Sequence, residues 1–271
     1  TTMFQPRRLV TKQVRRQLQQ QQQQFAQRRS ISTTTSTIDD ATVKNHFQHQ
    51  PKGVSHIFGD LVIDRAQGSW LYNDTTGEKY LDFTCGIGVT NTGHCHPKVV
   101  KAIQDQAGKL LHGQMNVMQH KPMFQLMDKW LKHKIMPDPS LDMFFFTNSG
   151  SEAVEASVKL ARHATGKQNI IVMQGGFHGR TIGAMSLTTS KYIYRVKYGP
   201  LMPGVHVTPF PYCHHCKSCD KKQGGGCCLN PIDDLEVLLK QQSAPQETAA
   251  ILIEPVLGEG GYVQAPAEYM R

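Results

Sequence analysis

The spacing of apolar positions changes character along the chain. Between His56 and Phe83 apolar residues come in short β-prone runs, Leu61-Val62-Ile63, Trp70-Leu71-Tyr72 and Tyr80-Leu81-Asp82-Phe83. The turn residues Asn73-Asp74-Thr75-Thr76-Gly77 separate the last two, which predicts a small antiparallel meander. Past Pro97, a predicted helix start, the spacing lengthens to three and four. Val99, Val100, Ile103, Ala107, Leu110 and Leu111 form one stripe, and Met123, Leu126, Met127, Trp130 and Leu131 form another, which predicts two amphipathic helices. From residue 143 the two periods alternate, as strand 143–147, helix 150–165, strand 169–173, a strand near Val205, helix 232–239 and strand 249–254. That alternation predicts an α/β fold with a mainly parallel sheet. Ligands of such sheets bind beyond the carboxyl ends of the strands. Three separate segments, Ser149 to Ser151, Phe177 to Arg180 and Glu254 to Glu259, fall at those ends and are predicted to converge.

Residues 1 to about 40 show neither period. They are rich in Arg, Gln, Ser and Thr, include Gln19 to Gln24 and Thr33 to Thr35, and hold no acid before Asp39. Val10, Val14 and Leu18 lie four apart among basic residues, the pattern of a basic amphipathic helix, so the stretch is expected to be a mitochondrial transit peptide. A low-complexity tail is the plainer alternative. This leader also carries most of the net charge of +9: seven of the 30 basic residues precede Asp39, leaving a balance of +2 against the 21 acids. A nearly neutral body argues against a nucleic-acid partner. Since there is no apolar run of about 18 residues, no membrane helix is expected either. With no long hydrophobic secretion signal, the seven cysteines are expected to be mostly reduced thiols.

The chemistry concentrates in the predicted convergent segments. In Phe144-Phe145-Phe146-Thr147-Asn148-Ser149-Gly150-Ser151-Glu152-Ala153, Ser149 and Glu152 have the spacing of a capping box, which leaves some helix N-terminal donors free, and Gly150 admits an anion close to them. The stretch reads either as an ordinary capped helix or as a phosphate seat. Gly175-Gly176-Phe177-His178-Gly179-Arg180-Thr181 brings an aromatic ring, an imidazole and a guanidinium fork suited to a carboxylate. Glu254-Pro255-Val256-Leu257-Gly258-Glu259-Gly260-Gly261 adds two carboxylates on a constrained loop. The glycine-rich Cys85 to His94 loop lacks the dinucleotide-binding spacing and reads as a tight loop on the substrate side.

From about Phe58 to Arg271 the chain resembles the class III pyridoxal-phosphate aminotransferases of fold type I. The matching segments are Tyr80 to Phe83 with Gly86-Ile87-Gly88-Val89, Asn91 to His94 before His96-Pro97, Thr147 to Ala153, Gly175 to Thr181, and Ile253 to Gly261. The resemblance implies a pyridoxal 5'-phosphate site in which the backbone at Gly150 and Ser151 holds the phosphate, Phe177 stacks on the ring with His178 beside it, and Arg180 contacts a substrate carboxylate. Glu254, Glu259 and Ile87 are implied to line the substrate side. Transfer of an amino group from 4-aminobutyrate or a similar ω-amino acid to a 2-oxo acid is the activity expected of a homodimer. Ornithine- and acetylornithine-type, alanine:glyoxylate-type, aminomutase and racemase relatives share the site.

That chemistry also needs a cofactor-bearing lysine and an acid on the pyridine nitrogen, both expected beyond Arg271. The chain is therefore expected to be an N-terminal part, inactive alone, with residues 41–95 from a small domain and 96–271 from the large one. Cys213, Cys216, Cys219, Cys227 and Cys228, with His214 and His215, crowd around Gly224-Gly225-Gly226. Their spacing fits no common zinc or iron–sulfur pattern, so residues 212–230 read as a surface insertion, with Cys213, Cys216, Cys219 and Cys227 as the alternative metal ligands. Two other readings remain open: a non-catalytic protein that keeps the fold, and a cysteine-centred metal module.

Overall fold

The computed structural model describes residues 40–53, 57–58, 61–133, 135, 138–215 and 229–271. The leader up to Asp39, and Cys216, Cys219, Cys227 and Cys228, lie outside the described residues. Two compact units divide between His120 and Lys121.

The first unit contains helix α1 (Asp40–His46), strands β1 (Arg65–Gln67), β2 (Trp70–Tyr72) and β3 (Lys79–Leu81), and helix α2 (Pro97–Ala107). The three strands form the expected antiparallel meander in the order β1-β2-β3. The predicted strand at Leu61 to Ile63 is not one; β1 begins at Arg65 instead. The turn at Gly68 (φ 58°) explains the shift, because it sets Gln67 opposite Trp70 and Arg65 opposite Tyr72. Cation–π packing then suits polar residues to this sheet. The Arg65 guanidinium lies 4.0 Å from the Tyr72 ring centroid, and Lys79 Nζ 3.7 Å from that of Trp70. After β3, Asp82 clasps the glycine-rich loop. Its Oδ1 accepts from Thr84 N–H (2.8 Å), Thr84 Oγ1 (2.7 Å) and Cys85 N–H (3.0 Å), while Oδ2 lies 2.7 Å from His94 Nε2. The Thr84 hydroxyl, followed by His94, holds the Asp82 carboxyl well below the usual carboxylate range. The apolar face of α2 is open, with Val99 44% and Ile103 62% exposed.

The second unit holds helices α3 (Lys121–Lys132), α4 (Gly150–Thr165), α5 (Ile182–Leu187) and α6 (Asn230–Gln241), and strands β4 (Asn169–Met173), β5 (Val205–Thr208), β6 (Thr248–Leu252), β7 (Val256–Leu257) and β8 (Val263–Gln264). The parallel sheet runs β5-β4-β6. Central β4 is buried on both faces, with Ile170 to Met173 all buried, as a covered parallel strand requires. Val158 of α4 and Leu187 of α5 pack against Ile170 and Val172. A second apolar cluster, Met173, Phe210, Leu257 and Ala265, lies where β4 gives way to its loop.

The predicted strand 143–147 is not found. The segment makes no ladder among the described residues, and Met143 and Phe145 are exposed. Phe144 packs instead on Trp130 and Phe146. Among the described residues no helix is long and apolar enough to cross a membrane.

Candidate active site

The site begins at the N-terminus of α4. Ser149 is extended, and its Oγ accepts from Glu152 N–H at 3.2 Å while Glu152 Oε2 accepts from Ser149 N–H at 3.1 Å. This is the capping box expected from their spacing. Glu152 Oε2 also takes Asn148 N–H (2.6 Å), and Ser149 O takes Ala153 N–H (3.1 Å). The N–H groups of Gly150 and Ser151 make no hydrogen bond to a described residue. A Cβ built on Gly150 would meet nothing within 4 Å. Two unshared donors at the positive end of a helix, with open space beside them, can hold an anion.

The loop after β4 closes on this helix end. Ser151 Oγ accepts from Arg180 N–H at 3.3 Å. Gly179 makes the approach possible. Its φ of 133° suits glycine, and a Cβ there would overlap Ser151 Oγ and lie 2.9 Å from Ala184 Cβ. Two threonines brace the loop. Thr188 Oγ1 accepts from His178 N–H (2.9 Å), and Thr189 Oγ1 accepts from Gly176 N–H (3.0 Å) and donates to Met173 O (2.6 Å). Glu155 of α4 fixes the start of α5, its Oε1 accepting from Thr181 Oγ1 (2.6 Å), Gly183 N–H (3.0 Å) and Ala184 N–H (3.2 Å).

The third segment joins through Glu254. One carboxylate oxygen accepts from Phe177 N–H (2.7 Å) and the other from Gly258 N–H (2.8 Å). His178 is buried, and its Nε2 has no hydrogen-bond partner among the described residues. Burial pushes the imidazole pKa down, and the nearby Glu254 charge partly opposes it. The neutral ring is therefore favoured at neutral pH.

Beside these, Arg180, Tyr194, Lys191 and Glu259 form a charged group over Phe177. The Arg180 guanidinium lies 4.4 Å from the Tyr194 ring centroid and 6.0 Å from that of Phe177. Glu259 Oε1 accepts from Tyr194 Oη at 3.1 Å, and Oε2 pairs with Lys191 Nζ at 3.0 Å. The Lys191 hydrogen bond lowers the Glu259 pKa, and Glu259 in turn raises that of Lys191. The pair is thus charged over a wide pH range. Because both groups are solvent-exposed, screening leaves the pair little weight in stability.

Gly150, Ser151, Phe177, His178, Arg180, Glu254 and Glu259 all belong to this assembly in the second unit. Ile87 belongs to the first unit, in the turn Cys85–Gly88, at φ 62° and 80% exposed. Glu155, Thr188, Thr189, Lys191 and Tyr194 have no motif to single them out; only their contacts show that they belong. Cys213 is half-buried, and among the described residues no three His, Cys, Asp or Glu side chains group as a metal site.

An anion seat, an aromatic ring, a guanidinium and two bracing acids on α/β loops define a class of site shared by cofactor-dependent group-transfer enzymes. Residues 49–271 match the family model "Aminotransferase class-III", and the chain belongs to that family. It is 35% identical to 5-aminovalerate aminotransferase DavT of Pseudomonas putida, over 87% of this chain and 52% of that protein. Against 4-aminobutyrate aminotransferase GabT of Escherichia coli the identity is 36%, over 82% of this chain and 49% of that protein. It is also 38% identical to isoleucine 2-epimerase of Lentilactobacillus buchneri, over 78% and 46%. Among solved structures, an amine transaminase from an uncultivated Pseudomonas species in the PLP-bound form superposes with a TM-score of 0.68 at 27% identity, covering 81% of this chain and 50% of that one. The chain spans about half the length of these relatives.

Proposed function

We propose that this chain supplies the phosphate seat, ring-packing face and carboxylate binder of an aminotransferase that uses pyridoxal 5'-phosphate. The observation that carries the proposal is the pair of unshared N–H groups at Gly150 and Ser151, joined through Ser151 Oγ to the loop bearing Phe177 and Arg180. The residues fit the cofactor: Gly150 and Ser151 would hold its phosphate, and Phe177 and the buried, unpartnered His178 its ring. Pyridoxal phosphate supplies an electron sink for the carbon that loses a proton. Arg180 orients the amino-acid substrate by its carboxylate, and Glu254 keeps Phe177 and the Glu259 loop in register.

The proposal extends to 4-aminobutyrate or a similar ω-amino acid as donor, supported by similarity to relatives named for 4-aminobutyrate and 5-aminovalerate. A mitochondrial matrix location rests on the basic, acid-poor stretch before Asp39. A homodimer is supported by the open apolar face of α2, where Val99 and Ile103 are exposed.

The protein carrying this chain, given pyridoxal phosphate, 4-aminobutyrate and 2-oxoglutarate, is expected to form glutamate. Arg180→Ala is expected to raise the donor KM by about tenfold or more, the loss of a charge-assisted hydrogen bond. Racemisation of an amino acid without any glutamate formed would overturn the proposal.

A further inference from the structure

Tyr194 closes a 3₁₀ turn, Tyr192–Tyr194, in which its two neighbours face solvent: Tyr192 is 82% and Ile193 59% exposed. Tyr194 is half-buried and touches Phe177, Arg180 and Glu259, with Lys191 Nζ also 5.7 Å from its ring centroid. Its ring meets Phe177 edge-on, centroids 5.3 Å apart, its face carries the Arg180 guanidinium at 4.4 Å, and its hydroxyl donates to Glu259 at 3.1 Å. The Arg180 guanidinium makes no hydrogen bond or ion pair with a described residue, so its N–H groups remain available to a ligand. A long, unsupported arginine samples many rotamers, and an aromatic face restrains it without consuming a donor. The Glu259 bond in turn restrains the ring.

We infer that Tyr194 is a positioning residue: its ring is the platform that presents Arg180 to a substrate carboxylate, and its hydroxyl anchors that platform to Glu259. The inference rests on the aminotransferase reading for the identity of the substrate, but the geometry is independent of the chemistry. Tyrosine suits the place because one side chain offers both a flat face and a terminal donor. Phenylalanine keeps the face alone, and leucine or methionine keeps neither.

The test uses the protein loaded with pyridoxal phosphate and glutarate, an unreactive dicarboxylate, as the probe. Calorimetry is expected to give Tyr194→Phe a glutarate Kd within about twofold of wild type, since one exposed hydrogen bond is lost. Tyr194→Leu is expected to weaken binding about fivefold or more, the loss of a cation–π contact. The KM for the amino donor should follow the same order while kcat changes less, a split that general loosening of the fold would not give. Tyr194→Met serves if the leucine variant does not fold. A Phe variant as weak as the Leu or Met variant, a non-aromatic variant that binds like wild type, or a wild type that does not bind glutarate would overturn the inference. Wild type that binds glutarate in this order but transfers no amino group would overturn the aminotransferase reading alone.

Discussion

Gly179→Ala is expected to lower the stability of the second unit by about 4 kcal/mol and to close the anion seat. A backbone held at φ 133° costs a non-glycine residue about 1–3 kcal/mol. The added methyl would overlap Ser151 Oγ and lie 3.0 Å from Ser151 Cβ and 2.9 Å from Ala184 Cβ. Those atoms belong to α4 and α5, whose ends are tied together through Glu155, so neither helix can give way cheaply. Overpacking of this kind adds about 1–3 kcal/mol. Gly166 is the control. It has φ 69° at the C-terminus of α4, and a methyl added there would meet nothing within 4 Å, so Gly166→Ala should cost only about 1–2 kcal/mol. Urea titrations followed by circular dichroism check this. Equal losses in the two variants would show that the Ser151 contact does not constrain the loop.

Glu254→Ala should have the next largest effect. It strips the acceptor from both Phe177 N–H and Gly258 N–H. Both bonds are only part-buried, so water can replace some of the lost acceptor and the two together cost about 1–3 kcal/mol. Amide exchange at Phe177 and Gly258 should accelerate most, while β4 amides keep their protection relative to the unit as a whole. Glu254→Gln retains one acceptor oxygen and should recover about half the loss. The pH response should change as well. A histidine pKa depressed by folding means the unfolded chain binds the proton more readily, so stability falls as pH drops below about 6.5. Without the Glu254 charge His178 is depressed further, and the loss on acidification should deepen. A variant whose acid response matched wild type would contradict that assignment.

Much of the second unit was legible because its signals are local. The capping box and the period-switching alternation set α4 and β4 within the observed bounds, Gly150–Thr165 and Asn169–Met173. Convergence of the Phe177–Arg180 and Glu254–Glu259 loops followed from the parallel sheet, whose strands β4 and β6 they leave, while Ser149 to Ser151 joins them without a preceding strand. The Phe144 to Phe146 run misled because aromatic β-propensity is satisfied equally by packing on Trp130. Leu61 to Ile63 misled because turn geometry at Gly68, not hydrophobicity, set the register of β1. The role of Glu254 in bracing two loops could not be read from its type, since an acid on a loop is equally suited to bind substrate. Tyr194 and Thr188 were invisible for a related reason: their partners are 65 and 10 residues away, with no spacing rule linking them.

The backbone of Gly150 and Ser151 is proposed to receive the phosphate of the cofactor, and the rest of the site is built around that seat. Amide resonances of the two residues, followed by NMR in the protein that carries this chain, test it most directly. Addition of pyridoxal phosphate is expected to shift both, with Ser149 and Glu152 moving less because their N–H groups are already taken. Pyridoxal without the phosphate should leave Gly150 and Ser151 near their starting positions. Bound pyridoxal phosphate that leaves these two amides unmoved would contradict the assignment of the phosphate seat.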